Sequence, residues 1–192
     1  LPDEPQMLCM GMYGADCSFF TIKGVVEELL NKLGIDNYDV EAVKDNPSYH
    51  PGRTAVISKD GKVIGVVGEV HPAVLENYSI GVKAYAAEIS FDACFRLSNL
   101  KRTYTQLPKF PALTRDIACV CKKSEPVLVL ERAIAQAAGK NLEAIELFDV
   151  YEGSQIPDGM KSVAFNLKLR AADRTLTDEE ADSAMKKAVK AL

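Results

Sequence analysis

The residues of this 192-residue chain that could do chemistry are few and scattered. Glu69, His71 and Glu88 are proton-moving types, but general acid–base work needs groups positioned on one reacting atom. A Glu beside a strand end is ordinarily solvated or ion-paired, so these three predict no catalytic centre. His50 and His71 stand beside Pro51 and Pro72 without partner ligands at metal-site spacing, so no metal site is expected. Gly65 and Gly68 do not form the glycine loop that opens a helix in dinucleotide sites. Five cysteines are an odd number without a CxxC pair. Cys119 and Cys121, two apart in an apolar run, predict reduced, buried thiols on one strand face, which suits a reducing cytoplasm. A charged pair, Arg115 and Asp116, follows Pro108-Lys109-Phe110-Pro111, where two prolines hold the backbone extended.

Composition narrows the partners. The chain carries a formal net charge of −4 with 47% hydrophobic and 26% charged residues, an ordinary globular balance. No apolar run approaches the roughly 18 to 20 residues of a membrane helix. The acidic, proline-bearing start, Leu1 to Pro5, is unlike a signal peptide, and without an initiator Met it reads as the start of an excised fragment. Residues 1–94 hold seven Lys and Arg against 14 Asp and Glu, net −7; residues 95–192 hold 16 against 13, net +3. The second half is therefore the part suited to an anionic partner.

These side chains must be positioned by the elements around them. Met7 to Met12 reads as a short buried strand. A helix capped by Ser18 or Thr21 buries Ile22, Val25, Val26, Leu29, Leu30 and Leu33, and Gly34 stands at its left-handed end. Tyr38 to Ala42 alternates as a strand. His50-Pro51-Gly52-Arg53 reads as a turn. Thr54–Ser58 and Val63–Val70 pair across Asp60-Gly61. A short helix starts at Pro72, and Lys83 to Phe91 is a further strand. Cys94 to Thr103 leads out of this first unit, with Leu97 and Leu100 docking it and Lys101 and Arg102 keeping it solvated.

The second half begins with the strand Ile117 to Cys121. A helix from Ser124 or Glu125 follows, with Pro126 in its first turn and Val127, Leu130, Ile134, Ala137 and Ala138 as its stripe; Gly139 ends it. Leu142 to Tyr151 is a strand, and a turn-rich loop runs to Gly159. In the next strand Val163, Phe165, Leu167 and Leu169 alternate with Ser162, Ala164, Asn166, Lys168 and Arg170, so one face is apolar and the other polar. Thr177 and Glu180 make a capping box for a last helix that buries Ala181, Ala184, Met185, Ala188, Val189 and Leu192. The fold class is α+β: an antiparallel sheet with helices, then a β-α-β-β-α unit, a ferredoxin-like α/β sandwich without its last strand. Two helices cover one sheet face and leave the other for a partner or solvent.

Three motifs of the first half occur in a telling order: Phe19-Phe20-Thr21-Ile22-Lys23-Gly24, His50-Pro51-Gly52-Arg53-Thr54-Ala55, and Ile64-Gly65-Val66-Val67-Gly68-Glu69-Val70-His71-Pro72. Together they resemble the end of the catalytic-like module in the β-subunit family of bacterial phenylalanyl-tRNA synthetases, a class II synthetase-like core that performs no aminoacylation. In the second half, Phe110 to Asp116, Leu147 to Tyr151, Lys161-Ser162 and Arg174 to Asp178 resemble the ferredoxin-fold anticodon-binding domain that closes the same subunit. The division that follows is residues 1–94, a linker at 95–107, and residues 108–192. In that family a short final strand follows the last helix, so with the sequence ending at Leu192 one sheet edge is expected to be bare.

The resemblance implies a role in ATP-dependent charging of tRNA-Phe by holding the anticodon stem-loop, with packing against a catalytic α subunit in an α2β2 assembly in the cytoplasm. ATP and Mg2+ are implied for the whole enzyme and neither for this part, which is expected to be catalytically inactive. RNA holding calls for phosphate-seeking cations and flat stacking groups. The cations that fit are Lys109, Arg115, Lys168, Arg170 and Arg174; the aromatics are Phe110 and Tyr151. Against this, each cation taken singly reads first as a solvated surface charge, Phe110 as packing on Leu113, Asp116 and Asp149 as partners of nearby Arg or turn caps, and the Tyr151 hydroxyl as a closure. Two other functions stay open: a structural module of the αβ assembly, and a ferredoxin-like small-molecule regulatory domain, which would need a polar notch between strands.

Overall fold

A computed structural model of the chain describes residues 2, 4–101, 103–104 and 106–192. The chain divides into two compact units, Leu1–Tyr104 and Thr105–Leu192. Both are α+β with antiparallel sheets.

The first unit contains β1 (Met7–Tyr13), α1 (Phe19–Lys32), β2 (Asp39–Ala42), β3 (Tyr49–Lys59), β4 (Lys62–Val70), α2 (Pro72–Asn77), β5 (Ala84–Ser90) and α3 (Phe91–Leu97). Its five-stranded sheet has the order β1-β5-β4-β3-β2. Helix α1 starts at a reciprocal capping box: the Ser18 hydroxyl accepts from the Thr21 N–H, and Thr21 Oγ1 accepts from the Ser18 N–H. It ends in a Schellman turn, with Ile35 N donating to Leu30 O and Gly34 N to Asn31 O. Ile22, Val26 and Leu30 on its inner stripe are buried against Ile57, Val67, Ala87 and Ile89 of the sheet. Each such fully buried side chain contributes about 1.5–3 kcal/mol.

Five expectations for this unit need correction, the first being Leu100, expected to dock the exit segment beside Leu97 but 70% exposed. Strand β1 is a largely exposed edge rather than a buried strand, because it pairs only with β5. Val25 lies off the buried stripe of α1 and is exposed. The His50–Arg53 stretch is no turn between elements but a bulge inside β3. Tyr49 faces Val70 and Thr54 faces Gly68, so five residues of β3 span two of β4. His50 Nδ1 accepts from the Gly52 N–H, and Thr54 donates to the His50 carbonyl, which holds the bulge closed. Finally, residues 91–97 are helical. The Ser90 hydroxyl caps α3 by accepting from the Ala93 N–H, and Cys94 is buried beneath it. The solvating role expected of Arg102 lies outside the described residues.

The second unit contains β6 (Leu113–Lys122), α4 (Val127–Ala138), a 3-10 turn (Gly139–Asn141), β7 (Leu142–Tyr151), β8 (Met160–Leu169) and α5 (Asp178–Ala191). The sheet order is β6-β8-β7, all antiparallel, which is the ferredoxin-like arrangement with β8 central. Val163, Phe165, Leu167 and Leu169 of β8 are 0% exposed beneath the helices, as their strict alternation requires. Leu130 and Ile134 of α4 and Ala181, Ala184 and Ala188 of α5 close over them. Pro126 is the residue before α4, not inside its first turn, and gives no side-chain cap. Val189 and Leu192 were expected in the core; they are exposed, because α5 docks through the narrow stripe of Ala181, Ala184 and Ala188, with Val189 to one side of it and Leu192 beyond the helix end. Cys119 and Cys121 do share a face but are only half-buried against the core.

Candidate nucleic-acid interface

Strand register decides which candidate residues meet. Leu113 of β6 and Leu142 of β7 both pair with Leu169 of β8, so these three positions form one end of the sheet. Lys109 and Phe110 lie just before β6 at this end, Lys168 reaches it on β8, and Arg170 follows the last residue of β8. Arg115 is the third residue of β6, and Arg174 lies in the loop from β8 to α5. Six of the seven candidates therefore gather at one end. Tyr151 does not: it pairs with Ser162, at the far end of β8, about 20 Å from Lys168 at the usual strand rise.

The centre of the cluster is a residue the sequence reading did not single out. Glu143 falls at a register shift in β7, between Leu142 opposite Leu169 and Ala144 opposite Lys168. A bulge of this kind re-aims a side chain. The Glu143 carboxylate accepts from the Arg170 guanidinium through both oxygens and from Lys168 Nζ at 2.8 Å. Arg170 also donates to the Phe110 carbonyl, so its guanidinium is fixed from two sides; only 18% of its side chain is exposed. The hydrogen bonds from Arg170 and Lys168 pull the Glu143 carboxyl down to about 2. Lys109 is exposed, and Phe110 is half-buried outside the core on which it was expected to pack. A groove of about 400 Å³ runs between Leu107, Lys109, Phe110 and Arg170.

Arg115 and Arg174 are occupied differently. Arg115 donates to Asp178 at 2.5 Å and sits 3.6 Å from Asp182, tying β6 to the first turns of α5. The hydrogen bond to Asp178 pushes the Arg115 guanidinium still higher than usual. Arg174 forks onto Glu180 at 2.7 and 3.1 Å. The Thr177 backbone N–H, with Arg174, holds the Glu180 carboxyl below its ordinary range. The predicted capping box is present here, Thr177 and Glu180 bonding reciprocally.

On the helix-free face, Thr114, Asp116, Ala118 and Val120 of β6 are exposed beside Lys168, Asn166, Ala164 and Ser162 of β8. Glu146 and Asp149 flank them on β7. This face is mixed in charge rather than basic along its length. Asp116, expected to pair with a nearby Arg or to cap a turn, accepts instead from Asn166 Nδ2 at 2.7 Å, directly across the strand pair. Tyr151 is 42% exposed with its ring lying over Gly153, where a Cβ would collide with the phenol.

In the first unit the imagined acid–base residues do not converge. Glu69 is buried and ion-paired with Arg53 at 2.8 Å; His71 caps α2, its Nδ1 accepting from the Ala73 N–H; Glu88 accepts from the Tyr49 hydroxyl at 3.1 Å. Glu88 and the Tyr85 that faces Glu69 are three apart on β5, so the two glutamates serve opposite faces of the sheet. Burial and the Glu88 carboxylate push the Tyr49 phenol far up, which keeps it protonated. Among the described residues no three His, Cys, Asp or Glu side chains gather to hold a metal ion, and no helix is long and apolar enough to cross a membrane.

Comparison with known proteins agrees in both units. Residues 1–91 match the family described as phenylalanyl tRNA synthetase beta chain CLM domain, and residues 108–192 match the ferredoxin-fold anticodon binding domain. Among curated proteins, the phenylalanine–tRNA ligase beta subunits of Clostridium tetani and Clostridium acetobutylicum are each 41% identical over all 192 residues. The subunit of Bacillus subtilis is 40% identical over 174 residues, 91% of this chain. The chain spans about a quarter of the length of these relatives, 24% of each clostridial protein and 22% of the Bacillus one. Two domains matched in succession, and similarity along the whole of this chain to subunits of one name, lead to one assignment: the chain belongs to the phenylalanine–tRNA ligase β-subunit family.

Proposed function

We propose that this chain is the tRNA-holding and subunit-assembly portion of a phenylalanine–tRNA ligase β subunit. Its second unit places the anticodon stem-loop of tRNA-Phe while the acceptor end reaches a catalytic α subunit elsewhere in an α2β2 assembly. The observation that carries this reading is the end of the second sheet, where Lys109, Phe110, Lys168 and Arg170 stand together beside an exposed, helix-free face. Single-stranded loops are held by cations on phosphates and by stacking on flat groups. Lys109 and Lys168 supply flexible ammoniums, Arg170 a planar fork, and Phe110 an apolar edge. Arg115 and Arg174 reach RNA only by leaving the carboxylates of α5, and Tyr151 serves a separate stacking position at the far end.

The proposed division of labour is residues 1–94 for assembly, 95–107 as the connection, and 108–192 for RNA. The first unit supplies no catalytic residues in this reading. Charging by the whole ligase uses ATP and Mg2+, and this reading assigns no chemical step to the residues of this chain. The proposed setting is the cytoplasm.

The assembly role has its own support. Met7 and Val63 in the first unit, both exposed, line one shallow groove with Ile64 and Val66, a contiguous apolar surface of the kind that joins a partner. Deleting residues 108–192 from the whole ligase tests the reading. The KM for tRNA-Phe should rise while phenylalanine-dependent ATP–pyrophosphate exchange is kept. An unchanged KM would count against anticodon holding and leave assembly as the function.

A further inference from the structure

We infer that Glu143 is a built-in placeholder for a phosphate: its carboxylate occupies the anion position of a site formed by Arg170 and Lys168, and a bound nucleic-acid phosphate displaces it. The inference rests on the RNA-holding reading above and adds a competitor within the chain to it.

Three observations carry it. The planar donor is held independently of Glu143, because Arg170 is also anchored on the Phe110 carbonyl and so keeps its fork aimed when the carboxylate leaves. A guanidinium fork with an adjacent ammonium is the donor set that recognises phosphate as readily as carboxylate. The occupant is held only from the front: the bonds found for the Glu143 side chain run to Arg170 and Lys168, and it stands on a bulge, about one-third exposed. Its departure therefore breaks no strand hydrogen bond and leaves no buried group unpaired. One carboxylate against two cations also leaves a net positive charge at the spot before any ligand arrives. The depressed carboxyl of Glu143 is the same field seen from the occupant's side.

The consequence is a lowered but tunable affinity. With Glu143 in place, RNA gains the difference between two anions; without it, RNA gains a full ionic contact. For a single strand such a contact adds about 0.7 to the slope of log K against log salt, or about fivefold at 0.1 M salt relative to 1 M.

The test is binding of a tRNA-Phe anticodon stem-loop to the 192-residue chain and to its Glu143→Gln variant over 0.05 to 0.5 M salt, with inorganic phosphate as a second probe followed at the Lys168 and Arg170 side-chain NMR signals. The placeholder predicts binding about fivefold tighter at 0.1 M salt and a steeper slope in Glu143→Gln, with phosphate shifting those signals in the variant more than in the parent. Equal RNA affinity and slope in the two proteins overturn the placeholder and leave RNA holding intact. Phosphate binding gained by the variant without RNA binding by either protein supports the anion site and overturns RNA holding. Neither probe binding either protein overturns both. Should Glu143→Gln not fold, the parent chain still decides: with RNA bound, the Glu143 carboxyl should titrate closer to its ordinary value, and a midpoint kept at about 2 in the complex overturns displacement.

Discussion

Arg115 and Asp178 are 63 residues apart in sequence and 2.5 Å apart in space. The pair fastens the third residue of β6 to the first residue of α5, across the edge of the sheet. The strand register cannot do this, since β6 pairs only with β8. Arg115 is thus a strut for the helix before it is anything for a ligand. Arg115→Ala should lower the thermal midpoint of the second unit and leave the salt slope of RNA binding unchanged. A flattened slope with unchanged stability would instead make Arg115 a phosphate contact.

The acidic limit of this end of the sheet is set by Glu143 and Glu180, both held below the ordinary carboxyl range. A group whose pKa falls on folding binds its proton more tightly in the unfolded chain. The stability it gives is therefore complete above the unfolded value of about 4.3 and is lost as pH falls through the folded value, which is about 2 for Glu143. Carbon-detected titration of the Glu143 carboxyl should give a midpoint at about 2 in the free chain. A midpoint at 4 or above would mean that the contacts to Arg170 and Lys168 are not kept in solution.

At the centre of the second core, Phe165 is 0% exposed on the middle strand, under both helices. Phe165→Ala should destabilise the unit by about 3 to 5 kcal/mol, through lost transfer energy and the cavity left behind. Denaturant unfolding measures this directly, and a loss below about 1 kcal/mol would show that the helices do not close over β8 as described.

Gly34 is fixed by two independent demands. Its φ of +67° is left-handed, and a Cβ there would lie 2.2 Å from the Asn99 carbonyl oxygen. Asn99 N also donates to the Leu33 carbonyl, so the end of α1 and the segment after α3 are held face to face. Gly34→Ala should cost more than about 1 kcal/mol, from backbone strain alone before the collision is relieved. An unchanged midpoint on thermal unfolding would contradict this packing.

Much of this architecture was legible because it follows local rules. The alternation from Ser162 to Arg170 fixed both the strand and its buried face, and Thr177 with Glu180 announced the start of α5. What stayed hidden depends on register and docking depth. The bulge at Glu143 breaks no periodicity in the sequence, so nothing there signals that Glu143 turns toward Lys168 and Arg170. His50 to Arg53 has turn composition yet lies within a strand, because β4 continues straight past it. The seven-residue α3 is too short for a periodic stripe, although the Ser90 cap before it was a usable signal. Val189 was assigned to the stripe of α5 but is 59% exposed, since the stripe that docks is only as wide as Ala181, Ala184 and Ala188, and periodicity does not give that width. The six candidates gathered at one end were chosen by type; the carboxylates paired with Arg115, Lys168, Arg170 and Arg174 came into view only with the fold.

The central claim is that the end of the sheet marked by Leu113, Leu142 and Leu169 holds the anticodon stem-loop by ionic contact. The most direct test is the affinity of the 192-residue chain for that stem-loop as salt is varied, with Lys109→Ala and Lys168→Ala beside it. Neither ammonium supports the core, so these variants remove charge while keeping the fold. The account predicts a linear loss of log K with log salt, and a slope flatter by about 0.7 in each variant. Binding that ignores both substitutions, or no binding at 0.05 M salt, would contradict it.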